Sequence, residues 1–210
     1  YFRAMELDPL TAISPVDGRY RDRTAPLSAW FSELALIKYR LRVELDWFSF
    51  LCETPLPELR GTEDVDLSGL AQRLETLSEV DAQAIKDIER VTNHDVKAVE
   101  YWLKERLDEL GLGARKEFVH FGLTSQDINN TALPLLLKEF TTEHYLPAIT
   151  ALRDRLHGFA EEWAQVPMLA RTHGQPASPT RLGKEFEVFV ERIDEQLRQL
   201  RAVPFSCKFG

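Results

Sequence analysis

Apolar side chains recur every three or four positions along most of this chain, the repeat that lines one face of a helix. Leu27, Trp30, Leu34, Ile37, Leu41, Leu45 and Phe48 mark such a stripe and predict one helix over residues 26–52. Pro26 suits its first turn, where a missing amide hydrogen has no partner to lose. Residues 54–66 carry two prolines, a glycine and several acids and read as a loop. Helices are expected next over 68–77, 80–90 and 95–109. Gly111 and Gly113 break the pattern and place a boundary between a helical domain over 1–113 and a second domain over 114–210. Beyond them come a short helical piece over 115–120 and a turn through Gly122. A long helical region over 125–163 follows, with kinks or breaks expected at Pro134 and Pro147. Residues 171–179, rich in Gly and Pro, read as a loop, and 180–201 as another long helix. No stretch alternates apolar and polar residues, and no Asn-Gly or Asp-Gly hairpin turn is found. The fold class is therefore all-α, with long amphipathic helices set for a bundle.

Composition narrows the function. The net charge of -8, from 26 basic and 34 acidic side chains, argues against a general nucleic-acid binder. It leaves room for a small anionic substrate at a local basic site. No apolar run approaches the roughly 18 residues that span a bilayer, and no secretory leader is seen. Cys52 and Cys207 show neither a disulfide framework nor metal spacing, so a reducing cytoplasm is the default compartment. Residues 1–4, ahead of Met5, read as a cloning remnant and are set aside. The chain stops at Lys208-Phe209-Gly210 directly after a helical pattern, which reads as truncation. Phosphate-cradling Gly-rich loops, Gly-x-Ser-x-Gly and metal-type Cys/His groupings are all missing.

Three polar clusters sit where helices are expected to start or turn. Thr92-Asn93-His94-Asp95 precedes the apolar-periodic Val96, Val99, Trp102 and Leu103. Asn93 or Asp95 could simply cap that helix, or its first amides could bind an anion. His120-Phe121-Gly122-Leu123-Thr124-Ser125-Gln126-Asp127 has Thr124 and Asp127 at the spacing of a helix start. Its hydroxyls and free amides suit a carboxylate or phosphate, and capping alone explains them equally well. Arg171-Thr172-His173-Gly174-Gln175-Pro176 offers a histidine, the side chain best able to exchange a proton near neutrality. A weaker feature is Asp17-Gly18-Arg19-Tyr20, either a solvated turn or a phosphate-binding arginine. His144 and His157 lack a supporting cluster and read as structural or solvent-facing.

Taken in this order, the clusters resemble the fumarase/aspartase superfamily and, within it, the adenylosuccinate lyases. Ser14-Pro15-Val16-Asp17-Gly18-Arg19-Tyr20 looks like the start of the bacterial form. Residues 92–100 are similar to its first active-site segment, 120–130 to its second and 171–179 to its histidine loop. Arg-Thr-His-Gly-Gln around His173 separates this pattern from fumarases and argininosuccinate lyases. The resemblance runs from about Met5 to the end of the chain. It implies release of fumarate from adenylosuccinate and from a succinyl-carboxamide ribotide by anti elimination, without cofactor or metal. It also implies a homotetramer whose sites combine segments of three subunits. By the same resemblance His173 is the general acid toward the leaving nitrogen, and His94 binds and orients substrate. Asn93 and Asp95 belong to the same wall, Thr124 and Ser125 stabilise the developing carboxyl charge, and Arg19 and Tyr20 contact the phosphoribosyl end. His120 has a supporting role. The family's base is a serine on a loop with a Ser-Ser-x-Met-Pro-x-Lys-x-Asn-Pro signature, which these residues do not contain. The 210 residues alone are therefore expected to be inactive. The rival readings are another superfamily lyase, acting on argininosuccinate or aspartate, and a non-catalytic helical oligomerisation module.

Overall fold

The computed structural model describes residues 8–62 and 65–209. Residues 1–4 and Met5, and residues 63–64 of the predicted loop, lie outside them. The helix expected over 26–52 is divided. Arg21–Thr24 (α1), a 3-10 turn at Ala25–Leu27 and Ser28–Phe31 (α2) precede the long helix Glu33–Glu53 (α3). The division falls at Ser32, whose backbone is extended (ψ 165°) and whose hydroxyl accepts the Ala35 amide at 3.1 Å. A serine able to cap its own helix competes with continuation of the preceding one, so Pro26 starts a 3-10 turn and not α3.

Ser68–Glu75 (α4), Glu79–Thr92 (α5) and Asp95–Glu109 (α6) lie where periodicity places them, to within two residues. Ser78 starts α5 with a reciprocal pair of bonds: its hydroxyl accepts the Asp81 amide, and the Asp81 carboxylate accepts the Ser78 amide. Leu41, Phe48, Ile85, Val99, Trp102 and Leu103, from α3, α5 and α6, form one dry cluster. Ser125–Phe140 (α7) adds a second, in which Ile128, Ala132 and Leu136 meet Tyr39, Val43 and Val96. The backbone groups into two compact units: Leu137–Ser206 is one, and the described residues up to Leu136, with those from Cys207 on, are the other. Phe209 lies against Trp47 in the first unit, ring centroids 6.1 Å apart.

In the second unit, a π turn at Thr141–Tyr145 leads into Leu146–Glu162 (α8). The irregular turn ends two residues before Pro147, the residue with no amide hydrogen to give. Pro134, where a break was equally expected, stays inside α7. The loop expected over 171–179 is instead a β-hairpin, Pro167–Thr172 (β1) paired antiparallel with Gln175–Arg181 (β2). In β1 the apolar run Met168-Leu169-Ala170 covers half-buried and exposed positions alike, and β2 is mostly exposed and carries prolines. No alternation of apolar and polar residues therefore betrays them. The last helix runs Leu182–Ala202 (α9) and packs along α8. There Trp163 stacks on Phe159 at 4.8 Å, and Phe186 meets both rings edge-on. Gly183 makes that approach possible: a Cβ on it would lie 2.2 Å from the Ala160 carbonyl oxygen. The architecture is helical apart from this hairpin. Among the described residues no helix is long and apolar enough to cross a membrane, and no group of three or more His, Cys, Asp or Glu could hold a metal ion.

Candidate active site

The starts of α6 and α7 adjoin in the first unit, and the polar clusters of the sequence furnish both. Asn93 ends α5 in a left-handed conformation (φ 51°), which Asn tolerates better than most residues. His94 follows with extended backbone, and its Nδ1 accepts the Lys97 amide at 3.1 Å, capping α6. A ring nitrogen that accepts an N–H carries no proton, so the His94 proton sits on Nε2. That nitrogen faces the Ser125 hydroxyl, 3.4 Å away at the first turn of α7. His94 Nε2–H donating to Ser125 leaves the serine O–H to point at a ligand. The first amides of α6 are taken by His94 and Asp95, so the Ser125 hydroxyl at the positive end of α7 is the group that offers a place for an oxyanion.

Beneath this pair lies Arg40, buried on α3. Its Nη2 donates to Asp95 Oδ2 at 2.7 Å and its Nε to Asn129 Oδ1 at 2.9 Å, so one guanidinium ties α3 to the starts of α6 and α7. Burial pushes the Asp95 carboxyl up, but the Val96 amide and Arg40 outweigh it and hold the group below its ordinary range. Asp127, also buried, accepts both the amide and the hydroxyl of Thr124, at 2.7 and 2.9 Å. The Thr124 hydroxyl is thus committed to the helix start, and Ser125 carries the hydroxyl left for a ligand.

His120 and Gly122 are both left-handed, at φ 62° and 74°. The turn they form is pinned on one side by Trp47 Nε1 donating to the Phe121 carbonyl at 2.9 Å. On the other side His120 Nδ1 meets Glu44 Oε1 at 2.5 Å, with Glu44 fully buried. The Glu44 hydrogen bond, working against burial, raises the His120 pKa above its ordinary 6.5. A second buried acid, Glu100, is raised by burial but held low by Lys97 and Lys104, at 2.7 and 3.1 Å.

Outside this group, Arg19 lies over the Tyr20 ring at 5.1 Å in the N-terminal turn. An open cleft of about 760 Å³ borders the site, lined by Lys86, Glu89, Arg90, Asn93, His94 and Asp95. His173 belongs to the second unit, at the tip of the β-hairpin. It and Gly174 have φ of 50° and 74°, the pair of positive angles that a tight two-residue hairpin turn requires. The turn leaves the imidazole exposed.

The structure therefore joins His94 to Ser125, and Asp95 to the same place through Arg40. It gives His120 and Thr124 acidic partners of their own. Sequence reasoning passed over Arg40, Glu44, Glu100 and Asn129. Glu44 and Glu100 carried a legible signal, since each is a charge on the apolar face of its helix, three or four residues from Leu41 and Phe48 or from Val96 and Leu103.

Comparison with known proteins gives the family. The protein described as adenylosuccinate lyase in Dictyostelium discoideum is 48% identical over 98% of this chain and 46% of its own length. Those of Vibrio cholerae and Escherichia coli K12 are each 45% identical, with the same 98% and 46% coverage. The chain thus spans about half the length of the curated relatives it matches. A crystal structure of fumarate lyase from Mesorhizobium sp. BNC1 shares the fold with a TM-score of 0.63, at 21% identity, over 86% of this chain and 39% of that one. The 3-carboxy-cis,cis-muconate lactonizing enzyme from Pseudomonas putida gives 0.61, at 19% identity, over 84% and 39%. The model of the family described as Lyase matches residues 18–205, and the chain belongs to that family.

Proposed function

We propose that the protein is an adenylosuccinate lyase, releasing fumarate from adenylosuccinate to give AMP and from succinyl-aminoimidazole-carboxamide ribotide. The observation that carries the reading is the pair of adjoining helix starts, with His94 and Ser125 3.4 Å apart. Anti elimination draws a proton from beside a carboxylate and leaves a doubly charged carboxyl group. Preorganised donors stabilise such charge most. Ser125, oriented by His94, and the first amides of α7 are donors of that kind, and Thr124 and Asp127 hold the α7 start in shape. Asn93 and Asp95 complete the wall. His173 protonates the departing nitrogen, Arg19 and Tyr20 take the phosphoribosyl end, and His120 supports substrate binding. The base is the family's serine, which these residues do not supply. General acid and base groups carry the reaction without metal or cofactor.

In the same reading, residues 1–113 form the family's N-terminal domain and 114–210 the first part of its central bundle. The enzyme works as a cytoplasmic homotetramer that shares residues between subunits, binding neither nucleic acid nor membrane. Full-length protein mixed separately with adenylosuccinate, argininosuccinate and aspartate, with fumarate release followed, tests the substrate: turnover of adenylosuccinate alone is expected. His173→Ala should slow turnover by about two to four orders of magnitude, the span of a general acid. Substrate affinity should change much less, because the loss falls on the transition state. A folded His173→Ala protein with most of its turnover would move the acid role elsewhere, to His94 first.

A further inference from the structure

We propose that Glu44 is a positioning residue that pairs with His120, so that His120 meets an anionic group of the substrate as a fixed cation. The substrate half of this statement rests on the binding role given to His120 above.

Glu44 lies on the apolar side of α3, three residues after Leu41 and four before Phe48, and is fully buried. An unpaired carboxylate there would be strongly destabilising. Its Oε1 is 2.5 Å from His120 Nδ1, the short range of a charge-assisted bond. Its Oε2 has no hydrogen-bond partner among the described residues. His120 is therefore the cation that compensates Glu44. It reaches Glu44 from a left-handed backbone, which non-glycine residues hold only where the surroundings impose it. The ring is 14% exposed, so an edge still reaches the surface.

The neighbouring charges leave Glu44 in control. Arg40, one turn earlier on α3, is engaged by Asp95 and Asn129. From α6, Glu100 acts on His120 in the same direction as Glu44 while Lys97 opposes, and Glu100 is itself matched by Lys97 and Lys104. An imidazolium whose Nδ1–H is given to Glu44 retains Nε2–H, a charged donor suited to a carboxylate or a phosphate oxygen. His94 differs, since its Nδ1 accepts the Lys97 amide at the start of α6.

The test is a pH titration of labelled histidine signals in the full-length protein, with His120 identified by the signal lost in His120→Gln. Parent His120 should titrate above its ordinary 6.5, because Glu44 holds its proton. Glu44→Gln keeps the shape and removes the charge, and should return His120 to its ordinary range. Glu44→Asp should restore part of the shift. Parent His120 titrating at or below 6.5 overturns the proposal and needs no variant to show it. An unchanged His120 in folded Glu44→Gln overturns it equally. Kinetics then separate the two claims. Binding that needs the imidazolium weakens as pH rises through the His120 value, so Glu44→Gln should raise KM at pH 8, recover at pH 6, and leave kcat less affected. A shifted His120 with unchanged KM upholds Glu44 as the keeper of the charge and overturns the binding role of His120. Inhibition by fumarate and by AMP, measured apart, assigns the anion: loss on the fumarate arm means a carboxylate, and loss on the AMP arm the phosphate.

Discussion

Both units are built from long amphipathic helices, yet they use their apolar faces differently. In the first, Phe48, Trp102, Leu103 and Leu107 are at most 1% exposed, and the charges of Arg40, Glu44, Glu100 and Asp127 are buried with them. In the second, the described residues that are buried are Ala160, Gly183, Val190 and Leu197, while Leu152, Leu169 and Phe189 are half exposed or more. Geometry explains the contrast. Helices α3 to α6 share one buried cluster and the first part of α7 adds a second, so their stripes find cover inside the unit. Helices α8 and α9 form a pair, and a pair covers one stripe on each helix. Periodicity in a sequence reports which face is apolar. It does not report what covers that face. The candidate residues show the same contrast: a buried shell orients His94, Ser125 and His120 in the first unit, and in the second an exposed hairpin tip carries His173.

The largest effect that sharpens this contrast is expected in the first core. Trp102 is 1% exposed and lies between the Arg73 and Arg106 guanidiniums, at 5.3 and 5.1 Å. Trp102→Ala should destabilise the chain by about 3–5 kcal/mol, the range for emptying a buried aromatic site. Urea unfolding followed by circular dichroism measures it, and a loss under about 1 kcal/mol would mean the core is not close-packed. In the second unit α8 and α9 approach closely at Gly183. A methyl there meets backbone, the Ala160 oxygen at 2.2 Å and Ala164 Cα at 2.8 Å, so α8 and α9 must part. Gly183→Ala should destabilise by about 1–3 kcal/mol, as overpacking does. An unaffected transition would show that the helix pair already yields at that point.

Most helices were legible because a stripe of period 3.6 needs no knowledge of its partner. The bounds of α6, Asp95–Glu109, follow from periodicity and the His94–Asp95 start alone. Two features were hidden for physical reasons. Ser32 looks like any polar residue on an exposed helix face until its extended backbone makes it a cap. The hairpin at 167–181 lacks the usual Asn-Gly signal, because His173 takes the left-handed place that Asn commonly fills. Of the candidate site, His94, Ser125 and His173 were legible from cluster composition. Arg40 and Asn129 were not, since Arg40 reaches Asp95 across 55 residues and Asn129 across 89. Glu44 stood in plain view on an apolar stripe. Its meaning came only with His120, 76 residues away.

The smallest expected effect decides what the exposed face of α9 is for. Phe189 is 54% exposed and borders an apolar groove of about 440 Å³ with Tyr145, Ile149 and Ile193. Within the 210-residue chain little contact depends on it, so Phe189→Ser should change stability by no more than about 0.5 kcal/mol, as surface substitutions do. The same change in the full-length protein makes a different demand. In the tetramer proposed above, another copy covers faces of this kind, and a polar hydroxyl set into such a contact leaves an apolar partner without its match. Sedimentation velocity of full-length Phe189→Ser should then show smaller species at micromolar concentration than the parent does. If the variant assembles as the parent does while the chain keeps its stability, Phe189 lies outside the contact between copies. The cover for α9 would then have to come from elsewhere in the full-length protein.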